Sequence, residues 1–306
     1  MKIVLLDALT FGDTDLSAFY KLGEVEVYQT TLAKDTQKRI TNATVIVTNK
    51  VVITKELMQG AKDLKLICVA ATGVNNIDLD GAKELGIEVK NVVGYSTNSV
   101  VQHTFSMLFY LIGHSKYYDE SVKSKTYSKG AIFTDVSMPF FEIKGKKWGV
   151  IGLGEIGRGV AKVAECFGSE ILYYSTSGKN KNTQYKRVNL DELLETCDII
   201  SIHAPLNEQT NNLLDYEKLL KCKDGAVVMN LGRGGIIDEN AVARLVDEKN
   251  ISFALDVFEK EPLDENSPLL SVKNSHKLYL TPHIAWTSIE AREKLISSVI
   301  ENIKSM

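Results

Sequence analysis

The stretch from Lys147 to Ala161 constrains this chain more than any other. An apolar run, Trp148 to Ile151, feeds directly into glycines spaced Gly152-x-Gly154-x-x-Gly157, and an apolar pattern of helical period follows at Ile156, Val160, Val163, Ala164 and Phe167. Strand, glycine turn and helix in that order are the context in which this spacing denotes a dinucleotide site. Gly152 is expected to make the tight turn, Gly154 to let the backbone approach a pyrophosphate, and Gly157 to let the helix pack close to the strand. The amides at the helix start, around Glu155 and Ile156, would then face the phosphates with the positive end of the helix dipole behind them. The glycines alone are equally compatible with a tight turn in any α/β domain; the flanking strand and helix favour the nucleotide site.

On both sides of this motif, strand and helix signals alternate, which implies parallel sheets with helices on their faces. The strands expected before it are Ile3–Leu6, Val25–Tyr28, Val45–Thr48, Leu66–Ala70 and Glu88–Asn91, with helices at Lys55–Gly60 and Leu79–Leu85 among the connections. A long apolar helix is expected from Asn98 to Gly113. Residues 114–147 alternate polar and aromatic groups and read as an extended excursion with little core of its own, of the kind that packs on another subunit. Strands resume at Trp148–Ile151, Glu170–Tyr174, Ile199–His203, Ala226–Asn230, Ser252–Asp256 and Lys277–Thr281. The capping-box pattern Thr287-Ser288-Ile289-Glu290 then opens a last amphipathic helix carrying Ile289, Leu295, Ile296, Val299, Ile300 and Ile303.

At 306 residues the chain has room for two modest α/β domains, and 44% hydrophobic with 25% charged residues excludes a largely disordered polymer. A net charge of -3 offers nothing for nucleic acid or an anionic membrane. The longest apolar stretch, Phe105 to Gly113, is too short to span a bilayer. The N-terminal run ending at Asp7 reads as a first strand rather than a signal peptide. Cys68, Cys166, Cys197 and Cys222 form no C-x-x-C pair and sit among apolar residues, which reads as buried free thiols in a reducing cytoplasm. The five histidines show no metal-ligand spacing, and no metal is expected.

Four later strands end in polar residues: around His203 and Pro205; at Leu231-Gly232-Arg233; from Asp256 to Glu261; and from Thr281 to Trp286. In a parallel sheet these ends share one edge with the glycine turn, so Arg233, Asp256, Glu261 and His283 are candidates to converge beside a bound nicotinamide. Each alone is ambiguous, since a loop arginine is often only a surface cation and a lone histidine is usually structural. Together they suit hydride exchange with a 2-hydroxy acid, in which the cofactor supplies the redox chemistry. The planar Arg233 fork would grip a carboxylate, His283 would act as acid/base, and Glu261 would orient that imidazole. In the first half, the small-residue loop Ala71-Thr72-Gly73 follows an apolar strand and reads either as a carboxylate-binding backbone loop or as a plain strand-to-helix turn.

Read as a whole, the sequence resembles the D-isomer-specific 2-hydroxyacid dehydrogenase family along nearly its full length. Gly94-Tyr95-Ser96-Thr97-Asn98-Ser99-Val100 with Gln102-His103-Thr104, and His283-Ile284-Ala285-Trp286, look most like the branch of glycerate dehydrogenase and hydroxypyruvate reductase. The resemblance implies Arg233, Glu261 and His283 as the catalytic set and Ala71, Thr72 and Gly73, with Arg233 and His283, as the substrate contacts. It implies a coenzyme, NAD(H) or NADP(H), contacted by Gly152, Gly154, Glu155, Ile156, Gly157, Ser175, Thr176, Lys179, His203, Pro205, Leu231, Gly232, Arg233, Asp256, His283 and Trp286. It further implies two doubly wound parallel-sheet domains. A flavodoxin-like substrate domain would be built from residues 1–98 and 284–306, with a Rossmann cofactor domain at 99–283 inserted in it. A homodimer would use the helix after Asn98 and the loop to about residue 140. Hydroxypyruvate or glyoxylate is the expected substrate class.

One position departs from the NAD-preferring pattern. The end of the second cofactor strand carries Ser175 rather than an acid, followed by Thr176, Ser177 and Lys179. These residues suit a 2′-phosphate, and Ser175 equally suits a ribose hydroxyl, so the sequence is compatible with either coenzyme. The competing functions are a non-catalytic dinucleotide-sensing regulator on the same scaffold and a methyltransferase with a similar glycine loop. The strand-end Arg, Glu and His argue against the second, and the absence of an added basic segment against the first.

Overall fold

A computed structural model describes residues 1–306. The chain divides into two units, Met1–Ser96 with Thr287–Met306, and Thr97–Trp286.

The first unit is built on β1 (Lys2–Leu5), β2 (Glu24–Val27), β3 (Val45–Thr48), β4 (Leu66–Val69) and β5 (Glu88–Lys90), ordered β2-β1-β3-β4-β5 and parallel throughout. This is the flavodoxin-like order, with its switch point between β1 and β3. β3 and β4 are buried along their whole length, as a parallel strand covered on both faces must be. The C-terminal helix Ile289–Lys304 belongs to this unit and buries Leu295, Ile296, Val299, Ile300 and Ile303. Its start departs from the expected capping box. The N-cap is Ser288, whose hydroxyl accepts from the Ala291 amide at 3.2 Å, and Ile289, the first helical residue, is exposed.

The second unit contains β6 (Lys147–Ile151), β7 (Glu170–Tyr174), β8 (Lys186–Arg187), β9 (Ile199–Ile202), β10 (Val227–Asn230), β11 (Ser252–Leu255) and β12 (Leu278–Leu280), ordered β12-β11-β10-β9-β6-β7-β8. All pairs are parallel, and the order reverses at β6, the Rossmann arrangement. β8 was not expected. It is two charged, exposed residues at the sheet edge, with no apolar run to betray it. Hydrophobic clusters cover the sheet on both sides. One packs Leu193, Leu194, Val242 and Leu245, and the other packs Phe105, Leu108 and Val160 around Trp148. The Trp148 indole N–H is satisfied by Ser201 Oγ at 2.9 Å.

Residues 114–147 are not extended throughout: after the long helix Thr97–Ile112 the chain turns at His114 in the left-handed region and forms a further helix, Ser115–Lys123. Ion pairs one turn apart, Lys116–Glu120 at 3.9 Å and Asp119–Lys123 at 2.7 Å, support it, a signal that the aromatic alternation masked. Cys166 is exposed, because it ends the helix Glu155–Cys166 on the side opposite the buried Val160, Ala161 and Ala164. Burial holds the other three thiols up at about 12, which keeps them protonated.

Candidate active site

The glycine turn after β6 shows why two of its three glycines are required. Gly152 sits at φ +91°, and a Cβ there would lie 2.8 Å from the Ala204 amide nitrogen. A Cβ on Gly157 would come within 2.3 Å of the Gly152 carbonyl oxygen, so helix and turn pack in direct contact. Gly154, by contrast, faces open space and is the N-cap of the helix Glu155–Cys166 without a capping side chain. The first amides of that helix, at Glu155 and Ile156, have no intrahelical acceptor. An anion placed over Gly154 would meet those donors and the positive helix end, so the residues present fit a dinucleotide pyrophosphate.

At the end of β7, Ser175 is buried and its Oγ accepts from the Asn180 amide at 3.3 Å. Thr176 is half-buried and Lys179 exposed. The Leu153 carbonyl, inside the glycine turn, accepts from both Asn180 Nδ2 at 2.8 Å and Arg158 Nη1 at 3.3 Å. Arg187 on β8 donates to the Gly178 carbonyl at 3.0 Å. The spacing of Asn180, Arg158 and Arg187 along the chain does not mark them as side chains that meet at this loop.

Along the rest of the edge, close backbone approaches fix the order of the loops. A Cβ on Gly232 would meet the Ala204 carbonyl oxygen at 2.7 Å, so the start of the loop after β9 lies between the glycine turn and the loop after β10. At the end of β10 Asn230 is fully buried; its Oδ1 accepts from the Gly232 amide at 3.0 Å and its Nδ2 donates to the Arg233 carbonyl at 2.9 Å. Leu231 is buried beside it. Arg233 Nη1 donates to the Gly232 carbonyl at 2.9 Å and pairs with no carboxylate. A Cβ on Gly234 would overlap the Phe258 carbonyl oxygen at 1.8 Å, which brings the arginine loop against residues 258–259. Glu261 follows there. Its Oε1 accepts from the Phe258 amide at 3.1 Å and its Oε2 lies 2.8 Å from His283 Nδ1.

His283 is held in the left-handed region at φ 54°, a conformation that costs free energy in a non-glycine residue. What holds it is Asp256, only 1% exposed, whose carboxylate accepts from the Ile284 and Ala285 amides at 2.9 Å each and from Thr281 Oγ1 at 2.6 Å. His103 completes the group, its Nε2 lying 3.2 Å from Thr281 Oγ1 and 3.6 Å from Asp256 Oδ1. Burial lowers the His103 imidazole below its ordinary value, with the Asp256 charge pulling the other way.

Of the remaining candidates, Pro205 lies in the loop after β9, where its carbonyl accepts from Thr210 Oγ1 at 2.7 Å. Trp286 closes the second unit. His203 reaches solvent with part of its surface, yet both ring nitrogens are buried without a partner, and burial pushes the ring down to about 3. The loop Ala71–Gly73 belongs to the first unit. It is pinned by Thr72 Oγ1 donating to the Val92 carbonyl at 3.1 Å and by the Val92 amide donating to the Ala71 carbonyl at 3.1 Å, while the amides of Ala71, Thr72 and Gly73 make no hydrogen bond in the chain.

Residues 105–285 match the family described as D-isomer specific 2-hydroxyacid dehydrogenase, NAD binding domain. The chain is 34% identical over 314 residues to a hydroxypyruvate reductase of Blautia hydrogenotrophica, covering 99% of this chain and 96% of the relative. It is 32% identical over 306 residues to a glycerate dehydrogenase of Methylorubrum extorquens, covering 99% and 95%. Among solved structures, a D-lactate dehydrogenase from Aquifex aeolicus complexed with NAD and lactic acid superposes with a TM-score of 0.84 at 27% identity, covering 100% of this chain and 95% of that one.

Proposed function

The chain belongs to the D-isomer-specific 2-hydroxyacid dehydrogenase family, and from that premise we propose that it reduces a small 2-keto acid, hydroxypyruvate or glyoxylate, with NAD(P)H, using His283, Glu261 and Arg233. The observation that carries the reading is the 2.8 Å contact between His283 Nδ1 and Glu261 Oε2, on a histidine whose backbone is clamped in a strained conformation by Asp256. The names of the full-length relatives, hydroxypyruvate reductase and glycerate dehydrogenase, support the substrate class.

When bound, the nicotinamide coenzyme supplies or accepts the hydride. The chain's own residues handle charge and the proton. Glu261 on Nδ1 fixes the imidazole's orientation and tautomer, leaving Nε2 to deliver a proton to the carbonyl oxygen in reduction and to remove it from the hydroxyl in oxidation. Arg233, free of any carboxylate in the chain, offers its fork to the substrate's carboxylate. The unbonded amides of Ala71, Thr72 and Gly73 are donors for a carboxylate as well. In this reading the second unit is the coenzyme domain and the first the substrate domain, and the protein is a cytoplasmic homodimer. The exposed Phe133, Val136 and Phe140 support a partner-covered loop.

Consumption of NADH or NADPH, followed by absorbance with hydroxypyruvate, glyoxylate and pyruvate in turn, tests this. Turnover fastest with hydroxypyruvate or glyoxylate is the expected outcome, and no oxidation of either nucleotide with any of the three acids would sink it.

A further inference from the structure

Resting on the reading of the glycine turn as a dinucleotide site, we propose that the preferred coenzyme carries a phosphate on its adenosine ribose, NADP(H), and that Arg158 and Arg187 hold this phosphate together with the hydroxyls of Ser175 and Thr176. The Rossmann order sets the adenosine ribose at the end of β7, next to the glycine turn. A site selective for the unphosphorylated coenzyme places a carboxylate there, which bonds the ribose hydroxyls and repels a phosphate. From Ser175 to Arg187 this chain has no aspartate or glutamate at all. Ser175 itself is part of the wall, buried and tied to the Asn180 amide.

Two cations flank the place where that carboxylate is missing. The loop after β7 is fastened to the glycine turn through the Leu153 carbonyl, which takes Asn180 Nδ2 and Arg158 Nη1 together, so the Arg158 guanidinium stands where turn and loop meet. Arg187 reaches the same loop from β8, bonding the Gly178 carbonyl, with its Nη2 3.7 Å from where a Gly178 Cβ would be. Both side chains are exposed, and their hydrogen bonds go to backbone carbonyls alone. Arg244 and Arg292, elsewhere in the chain, are instead paired with Glu248 and Asp13. A guanidinium left without a carboxylate keeps its fork for an anion, and its geometry suits a phosphate dianion better than an ammonium does. Lys179, between the two in the loop, adds a third positive charge. The one carboxylate of the turn, exposed Glu155, stands at the helix start, the pyrophosphate end rather than the ribose end.

The test is direct binding, read by nicotinamide fluorescence as NADPH or NADH is titrated into coenzyme-free protein. NADPH is expected to bind about tenfold tighter or more, and Arg158→Ala and Arg187→Ala are each expected to weaken NADPH about tenfold while moving NADH less than about twofold. Ser175→Asp, which leaves both arginines in place, should reverse the preference. Raising the salt concentration should erode NADPH affinity faster than NADH affinity, because the added contacts are between exposed charges. As a readout free of the nicotinamide, 2′,5′-ADP should raise the melting temperature more than 5′-ADP does. NADH binding as tightly as NADPH, or arginine variants that weaken both nucleotides alike, would overturn the assignment and leave the dehydrogenase reading standing. Binding of neither nucleotide would overturn both.

Discussion

The two sheets present their carboxyl edges in opposite chemical styles. In the five-stranded unit the edge offers backbone: after β4 the amides of Ala71, Thr72 and Gly73 are unbonded, while the Thr72 hydroxyl between them is spent on the Val92 carbonyl. Even the acidic residue there, Asp7, is turned inward, its carboxylate accepting from Thr48 Oγ1 at 3.1 Å and from the Asn49 and Lys50 amides at 2.9 and 2.7 Å. In the seven-stranded unit the edge adds side chains to the amides of the glycine turn: Arg158, Arg187, Arg233, Glu261 and His283, with Asp256 behind them. Backbone donors survive most substitutions, because every residue but proline carries the same amide. Side-chain chemistry does not survive them. The two regions should therefore respond to mutation in different ways, and that difference is where the proposed division of labour is most easily broken.

The largest effect is expected at His283. His283→Asn removes proton transfer but keeps a side chain of similar reach, so kcat should fall by about 10²–10⁴-fold while the dissociation constant of the reduced coenzyme stays within about twofold. Steady-state kinetics and fluorescence titration read the two quantities separately. Turnover within a factor of a few of the parent would show that the seven-stranded edge does not carry the chemistry. The next effect belongs to Arg233→Lys, which keeps the charge and loses the fork. A fall of about 10–100-fold in kcat/KM is expected, since a bidentate charged contact becomes a single one. A lysine enzyme with parental kcat/KM would mean that charge alone is needed there.

What could be read in advance follows the same division. The parallel strands other than β8 were legible to within a residue or two, because strands covered on both faces leave apolar runs such as Val45–Val47 and Ile171–Tyr173. The glycine turn was legible because Gly152 and Gly157 answer to steric demands that no other residue meets. The helix Ser115–Lys123 was missed because its support is charge pairing on an exposed surface rather than an apolar stripe. Within the candidate site, Arg233, Asp256, Glu261 and His283 stood out as polar residues ending apolar strands. The contact of His103 with Thr281, 178 positions apart, leaves no local trace, and neither does the fastening of Arg158 and Asn180 to one carbonyl. Such contacts are properties of the fold, and spacing along the chain does not encode them.

A smaller effect is expected from pH. The His203 ring, held down at about 3 by burial, is neutral in the folded protein, whereas an exposed histidine titrates near 6.5. Above that ordinary value neither state binds the proton, and His203 contributes no pH dependence to stability. As pH falls from about 6.5 toward 3, the unfolded chain takes up a proton that the folded one refuses, and stability is lost by up to about 1.4 kcal/mol per pH unit. Replacing the ring by His203→Gln removes this slope. The stability difference between parent and variant, from denaturant unfolding, should therefore shift by about 2 kcal/mol in the variant's favour between pH 6.5 and 5. A difference that does not change over that interval would mean the ring is reached by water or by a partner when folded.

The smallest effect, and the sharpest test of the backbone edge, is Thr72→Ala. The hydroxyl it removes pins the loop to the Val92 carbonyl, so unfolding free energy should drop by about 1 kcal/mol, the net worth of one hydrogen bond. The Thr72 amide, like those of Ala71 and Gly73, is untouched. If these amides are what grips a substrate carboxylate, KM for the keto acid should move by less than about threefold, because donors fixed by the chain's own path do not depend on which side chain they carry. A tenfold rise in KM with stability unchanged would reverse the assignment. It would place the recognition in the threonine hydroxyl, and the five-stranded edge would then act through side chains just as the seven-stranded one does.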